Sequence, residues 1–204
     1  MTHPAPDRAG GVPTTGRAVN LPNALTVLRV LCVPLIAWLL WVDGGASGIA
    51  RDLAALVFVV ASLTDIADGA IARKYGLITT FGKVADPIAD KALTGVALIG
   101  LSLLGDLPWW VTVVILAREI GVTLLRFWVI EHGVIAASRG GKTKTLVQTI
   151  AITMYLADVP WQWWDVLRMV VMGVAVVLTV VTGIDYALRA WSLRRRSRRE
   201  RELA

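Results

Sequence analysis

From Ala24 to Val42 the chain runs nineteen residues with a single charge, Arg29. About twenty apolar residues in a row is the length a helix needs to cross the hydrocarbon of a bilayer. Further apolar segments follow over about residues 52–72, 85–104, 109–130, 143–156 and 166–188, separated by short polar or Gly/Pro-bearing stretches. With 56% hydrophobic residues in a chain of 204, the composition is too apolar for a soluble domain of this size. The pattern predicts an all-α polytopic membrane protein, a bundle of six transmembrane helices. Residues 1–19, rich in Pro, Gly and Thr, are expected to form a disordered tail without a signal-peptide core. Residues 20–190 form the membrane domain, and residues 191–204 a basic tail. Polar connections are expected over Arg73–Lys83 and Glu131–Lys142.

Basic residues set the orientation. Arg73, Lys74 and Lys83, then Arg139, Lys142 and Lys144, then the C-terminal arginines fall on alternate connections. The opposite connections carry only Arg51 and Arg168. By the positive-inside rule both termini face the cytoplasm, across the plasma membrane. Trp41, Trp109, Trp110, Trp161, Trp163 and Trp164 gather near the outer ends, as an interfacial belt does. The net charge of +6 owes much to Arg194, Arg195, Arg196, Arg198, Arg199 and Arg201. Directly after an apolar segment, such a cluster suits anionic lipid headgroups, and nucleic acid is not expected as a partner. One cysteine, Cys32, excludes an internal disulfide, and two histidines leave chemistry to carboxylates.

Those carboxylates are concentrated in one stretch, Thr64–Thr94. Asp65 and Asp68 are three apart, and Asp86 and Asp90 four apart. On helices either spacing puts the pair on one face. Two antiparallel helices joined through Arg73–Lys83 would bring the four acids together. Close anions repel unless a cation neutralises them, and hard oxygen donors favour Mg²⁺, Mn²⁺ or Ca²⁺ over zinc. Salt bridges to Arg73, Lys83 and Lys91 would leave one carboxylate over. Acidic clusters within a membrane also line ion paths, so a divalent-cation transporter is the alternative of a different class. That alternative calls for acids at both faces or at mid-membrane, whereas these sit at one end of two segments.

The full pattern, D-x2-D-G-x2-A-R-x8-G-x3-D-x3-D, is met by Asp65, Asp68, Gly69, Ala72, Arg73, Gly82, Asp86 and Asp90. It resembles the signature of the CDP-alcohol phosphatidyltransferases, membrane enzymes of phospholipid synthesis. The resemblance implies that Asp65, Asp68 and Asp86 bind Mg²⁺ or Mn²⁺. It also implies that Asp90 deprotonates the attacking alcohol while contributing to the metal site. Asp65, Gly69, Ala72, Arg73 and Gly82 would receive the cytidine diphosphate, the small residues leaving room against the helix backbone. Arg73 suits either that diphosphate or an aspartate. A homodimer of six-span protomers is implied as well.

Asn20 to Arg29, Asp86 to Lys91, Ala117 to Ile120 and Gly141 to Thr145 are similar to the subgroup whose acceptor is sn-glycerol 3-phosphate. The expected reaction transfers a phosphatidyl group from CDP-diacylglycerol to that acceptor, giving phosphatidylglycerol phosphate and CMP. Sister enzymes using phosphatidylglycerol, to make cardiolipin, or inositol phosphate are the near alternatives. Arg29, Arg118, Lys142 and Lys144 are the candidate cations for the acceptor phosphate. For Arg118 a structural ion pair with Glu119 stands beside that reading. Asp185 receives no role.

Overall fold

The computed structural model describes the backbone of residues 21–46, 48–75, 80–129, 139–157 and 159–203, and side chains over 24–46, 48–66, 85–125, 141–157, 159–192 and 194–195. The described residues form six helices: α1 (Leu21–Asp43), α2 (Ile49–Tyr75), α3 (Thr80–Leu103), α4 (Trp109–Val129), α5 (Arg139–Leu156) and α6 (Trp164–Leu203). Among the described residues there is no strand. The expected disordered tail, residues 1–19, lies outside the described residues.

The helices fall into two groups of three. α1 packs along both α2 and α3, while α6 packs on α4 and α5. Contacts of α2 with α5, and of α3 with α4 and α5, join the groups. Ile36, Phe58, Leu98, Leu101, Ile115, Ile152 and Leu156 are fully buried along these seams. The outside is the more apolar surface in places: Leu31, Trp38, Leu63, Val113, Leu124, Val170 and Val181 are all exposed. α1 and α6 are long and apolar enough to cross a membrane, yet only 28% of an apolar 18-residue stretch within Ala24–Asp43, and 22% of one within Trp164–Ser192, is buried. A core helix of a water-soluble protein would hide most of such a surface. These two faces suit lipid.

The ends of the helices differ from the sequence expectation in three places. The linker expected over Arg73–Lys83 is much shorter, because α2 continues through Tyr75 and α3 already begins at Thr80. Gly82 therefore lies inside α3. The loop expected to reach Lys142 ends at Arg139, where α5 starts, so Lys142 and Lys144 are helical. The basic segment 191–204 is no separate tail: α6 runs on to Leu203. Its Arg-, Glu- and Leu-rich sequence has no glycine or proline to stop it. A 3.0 Å contact of Arg189 with Asp185 and the stacking of Arg195 over Trp191 at 3.9 Å support the helix as it leaves the apolar segment.

At the end remote from the aspartates, one arginine ties the groups together. Arg51, 3% exposed, reaches Asp43 at 3.7 Å and Asp106 at 2.6 Å, and donates to the carbonyl of Tyr155 at 3.0 Å. The Asp43 carboxylate also accepts from the backbone of Gly48 at 3.0 Å and Gly45 at 3.3 Å. Gly44 and Gly45, with φ of 56° and 85°, allow the chain to turn back there in a conformation other residues resist. Next to this clamp the Arg168 guanidinium lies over the Tyr155 ring.

Candidate active site

A cavity of about 810 Å³ opens between the two groups. Each of the six helices gives it a polar side chain: Arg29, Asp65, Asp90, Arg118, Lys142 and, from α6, both Thr182 and Tyr186. The remainder of the wall is largely apolar, with Val59, Leu63, Ile66, Leu146, Ile150 and Met154. One side of the cavity carries acids on α2 and α3, and the other carries cations on α4 and α5. The shape joins a charged end to a long apolar wall.

On the acidic side, α1 organises both signature helices. The Arg29 guanidinium, buried, pairs with Asp65 at 2.7 Å. Thr26, also buried, donates its hydroxyl to Asp86. Thr26 and Arg29 are three residues apart and so share one face of α1. That face touches one aspartate from α2 and one from α3. Asp65 is 39% exposed and open to the cavity even with its arginine partner. Asp90 lines the cavity, whereas Asp86 is drawn toward α1 and is not part of the wall. Pro87, inside α3, removes a backbone donor right after Asp86 and frees the carbonyl one turn back.

The remaining signature side chains, Asp68, Gly69, Ala72, Arg73 and Gly82, lie outside the described side chains. Their backbone positions are set: the first four on the last turns of α2, Gly82 in the first turn of α3. Among the described residues no three acids, histidines or cysteines converge as a metal site. The donor set is nevertheless of the right kind. Asp65 and Asp90 present hard carboxylate oxygens to one cavity from facing helices, with Asp86 one turn from Asp90.

The cationic side holds three of the four residues expected to bind an acceptor phosphate, in three different situations. Lys142 is exposed and lines the cavity. Arg118 lines it too, lies 3.6 Å from Glu119, and donates to Thr182 Oγ1 at 3.1 Å. Both sequence readings of Arg118, ion pair and cavity wall, describe the same side chain. Lys144 is 1% exposed, absent from the cavity wall, and paired with Glu119. Arg29, the fourth, sits across the cavity against Asp65. The structure thus brings Arg29, Arg118 and Lys142 to one cavity and turns Lys144 away from it. Glu119 as the partner of Lys144, and Thr26 as the partner of Asp86, were not read from sequence. Thr26 carried a hint, its position one turn before Arg29; Glu119 and Lys144 belong to different helices, 25 residues apart.

α6 adds a feature that no motif announced. A methyl group built on Gly183 would lie 3.0 Å from Cγ of Arg118, so the stem of that arginine crosses directly over the glycine on its way to Thr182.

A membrane-associated helical bundle, with paired aspartates facing cations across a cavity that continues as an apolar wall, is built for a substrate having both a phosphate-rich head and a lipid tail. The family comparison agrees: residues 19–181 match the CDP-alcohol phosphatidyltransferase family, and the chain belongs to it. Among its relatives is the "Probable phosphatidylglycerophosphate synthase" of Mycobacterium tuberculosis (strain CDC 1551 / Oshkosh), 50% identical over 91% of this chain and 88% of that protein. The "CDP-diacylglycerol--glycerol-3-phosphate 3-phosphatidyltransferase" of Rickettsia typhi is 39% identical over 82% of this chain and 94% of its own length. The protein of that same name from Bacillus subtilis (strain 168) is 37% identical, covering 84% and 95% respectively.

Proposed function

We propose that this protein transfers the phosphatidyl group of CDP-diacylglycerol to sn-glycerol 3-phosphate, forming phosphatidylglycerol phosphate and releasing CMP. The observation that carries the reading is the division of the cavity, with Asp65 and Asp90 on one side and Arg118 and Lys142 on the other. It is supported by the names of relatives 37–50% identical over most of the chain.

Asp65, Asp68, Asp86 and Asp90 would hold Mg²⁺ or Mn²⁺, which when bound offsets the negative charge of the donor's pyrophosphate. Arg29 fixes Asp65, and Thr26 fixes Asp86, so that their oxygens are aimed before any ligand arrives. The small residues Gly69, Ala72 and Gly82 would leave room for the cytidine diphosphate, with Arg73 as the cation for its charge. The acyl chains lie along Leu63, Ile66, Leu146 and Ile150, whose exposure to lipid lets the donor enter from the membrane. Arg118 and Lys142 bind the acceptor phosphate and so place its hydroxyl before the donor. Asp90 removes the hydroxyl proton as the oxygen attacks the β-phosphorus. The new P–O bond forms there, the phosphoanhydride bond breaks, and CMP departs with the electron pair.

In the same reading the protein is a homodimer of six-span protomers in the plasma membrane, with the cavity mouth and both termini on the cytoplasmic side. Its test is CMP release by the purified protein supplied with CDP-diacylglycerol and Mg²⁺. Glycerol 3-phosphate, inositol phosphate and phosphatidylglycerol are each added alone. Release is expected with glycerol 3-phosphate only; release with one of the others instead would reassign the acceptor. No release with any of them, from a folded protein, would return the acidic cluster to the transporter reading.

A further inference from the structure

The match to the family ends at residue 181, one residue before a turn of α6 that the cavity uses. Three residues of that turn bear on the site. Thr182 gives its hydroxyl proton to the carbonyl of Leu178 at 2.6 Å, which leaves its oxygen to accept from Arg118. Gly183 leaves room for the Arg118 stem, since a Cβ there would lie 3.0 Å from the Cγ of that arginine. Tyr186, one turn further on, is 9% exposed and lines the cavity. Its phenolic oxygen is buried and has no hydrogen-bond partner among the described residues. Leaving such a hydroxyl unpaired costs about 1–3 kcal/mol, a cost that a bound polar ligand removes.

We propose that the turn Thr182–Tyr186 is a further wall of the acceptor site, in which Tyr186 donates a hydrogen bond to the phosphorylated alcohol and Thr182 and Gly183 position Arg118 beside it. The proposal rests on the functional reading above. The packing of α6 decides for the acceptor and against the nucleotide head of the donor. α6 touches α4 and α5, which bear Arg118 and Lys142, and among the described residues makes no comparable contact with α2 or α3, which bear the aspartates. Tyr186 approaches the cavity from its cationic side, where a phosphate with neighbouring hydroxyls is drawn. A phenol is a suitable donor there: it can bond to phosphate or hydroxyl oxygen without adding charge to a wall that already holds two cations.

The test compares the full-length protein with Tyr186→Phe and Gly183→Ala in detergent, with CDP-diacylglycerol, Mg²⁺ and varied glycerol 3-phosphate. Tyr186→Phe is expected to raise the KM for glycerol 3-phosphate roughly tenfold, as loss of one hydrogen bond to a charged group does. The KM for CDP-diacylglycerol should stay within about twofold. Without substrate the thermal midpoint of Tyr186→Phe should equal or exceed that of the wild type, because no internal bond is lost. Gly183→Ala should raise the same acceptor KM by displacing Arg118. An unchanged acceptor KM in Tyr186→Phe overturns the proposal. So does a lowered midpoint with both KM values unchanged, which would mean that the phenol serves the fold. If the wild type releases CMP only with another phosphorylated alcohol, the functional reading fails separately. The same Tyr186→Phe comparison with that alcohol then decides the role of the turn.

Discussion

Asp90 and Lys142 face the same cavity from opposite groups of helices and are assigned opposite tasks, so their substitutions should fail in different ways. Asp90→Asn keeps size and shape but cannot take a proton. It is expected to lower kcat by about 10²–10⁴-fold, with both KM values changed only a few-fold, in steady-state CMP release. Lys142→Ala removes a charge-assisted contact and should raise the glycerol 3-phosphate KM by roughly 10–100-fold, leaving the donor KM nearly unaltered. A similar rise in both KM values would mean that Lys142 does not distinguish the substrates. That Asp65 and Asp90 meet at one cavity was legible in the sequence, because each belongs to a carboxylate pair spaced for one helix face and the two segments were expected to fold together. The pairing of Lys144 with Glu119 was not, since it depends on how α4 and α5 are rotated against each other. Arg29 shows the same limit. As the single charge of the first segment it was a candidate cation for the acceptor phosphate, but a cation near a phosphate site and a cation holding Asp65 look alike until α2 is in place.

Among the elements, α2 is fixed at both ends, through Asp65 to α1 at the site and through Arg51 at the far end. Arg51 is the sole basic residue that bridges the α1–α2 turn, the α3–α4 turn and the end of α5 among the described residues. Arg51→Ala would leave the Asp43 carboxylate, whose side chain is 0% exposed, without its cation. The expected loss of stability is about 3–5 kcal/mol, read as a lower thermal midpoint in detergent. The activity of molecules still folded should be close to normal, because the clamp lies at the end of the bundle remote from Asp90. An unchanged midpoint would show that the turn glycines and backbone donors suffice to hold Asp43. The helices themselves were legible to within a few residues from their apolar lengths. Their polar ends were not: Arg73–Tyr75, Thr80–Lys83 and the arginines after Trp191 read as linker or tail by composition, yet Arg and Lys are good helix formers, and a helix already nucleated extends through them and carries the weaker Thr80 and Gly82 along.

For the molecule as a whole, the reading requires a metal and a sidedness. Removal of divalent cations with EDTA should abolish CMP release while leaving the helical circular dichroism intact, and Mg²⁺ or Mn²⁺ should restore it. Persistent activity in EDTA would leave the aspartates to act as bases and salt-bridge partners alone. For sidedness, Cys32 is replaced by alanine and single cysteines are introduced by Ser197→Cys and Gln162→Cys. In intact cells a membrane-impermeant maleimide should label position 162 and spare position 197 until the membrane is opened. The reverse labelling would invert the topology.

The division of the bundle into α1–α3 and α4–α6 has one more consequence. The acids and the helix that aims them belong to the first group, and the cations that would select the acceptor, with the α6 turn beneath Arg118, belong to the second. In the proposed reading, what the enzyme does to its donor and what it accepts in exchange are written in separate halves of the chain. Such an arrangement would be modular: a new acceptor could be admitted by editing α4, α5 and the Thr182–Tyr186 turn of α6 while the reaction centre is kept. A chimera joining α1–α3 of this chain to the second half of a relative should follow the acceptor choice of its C-terminal parent.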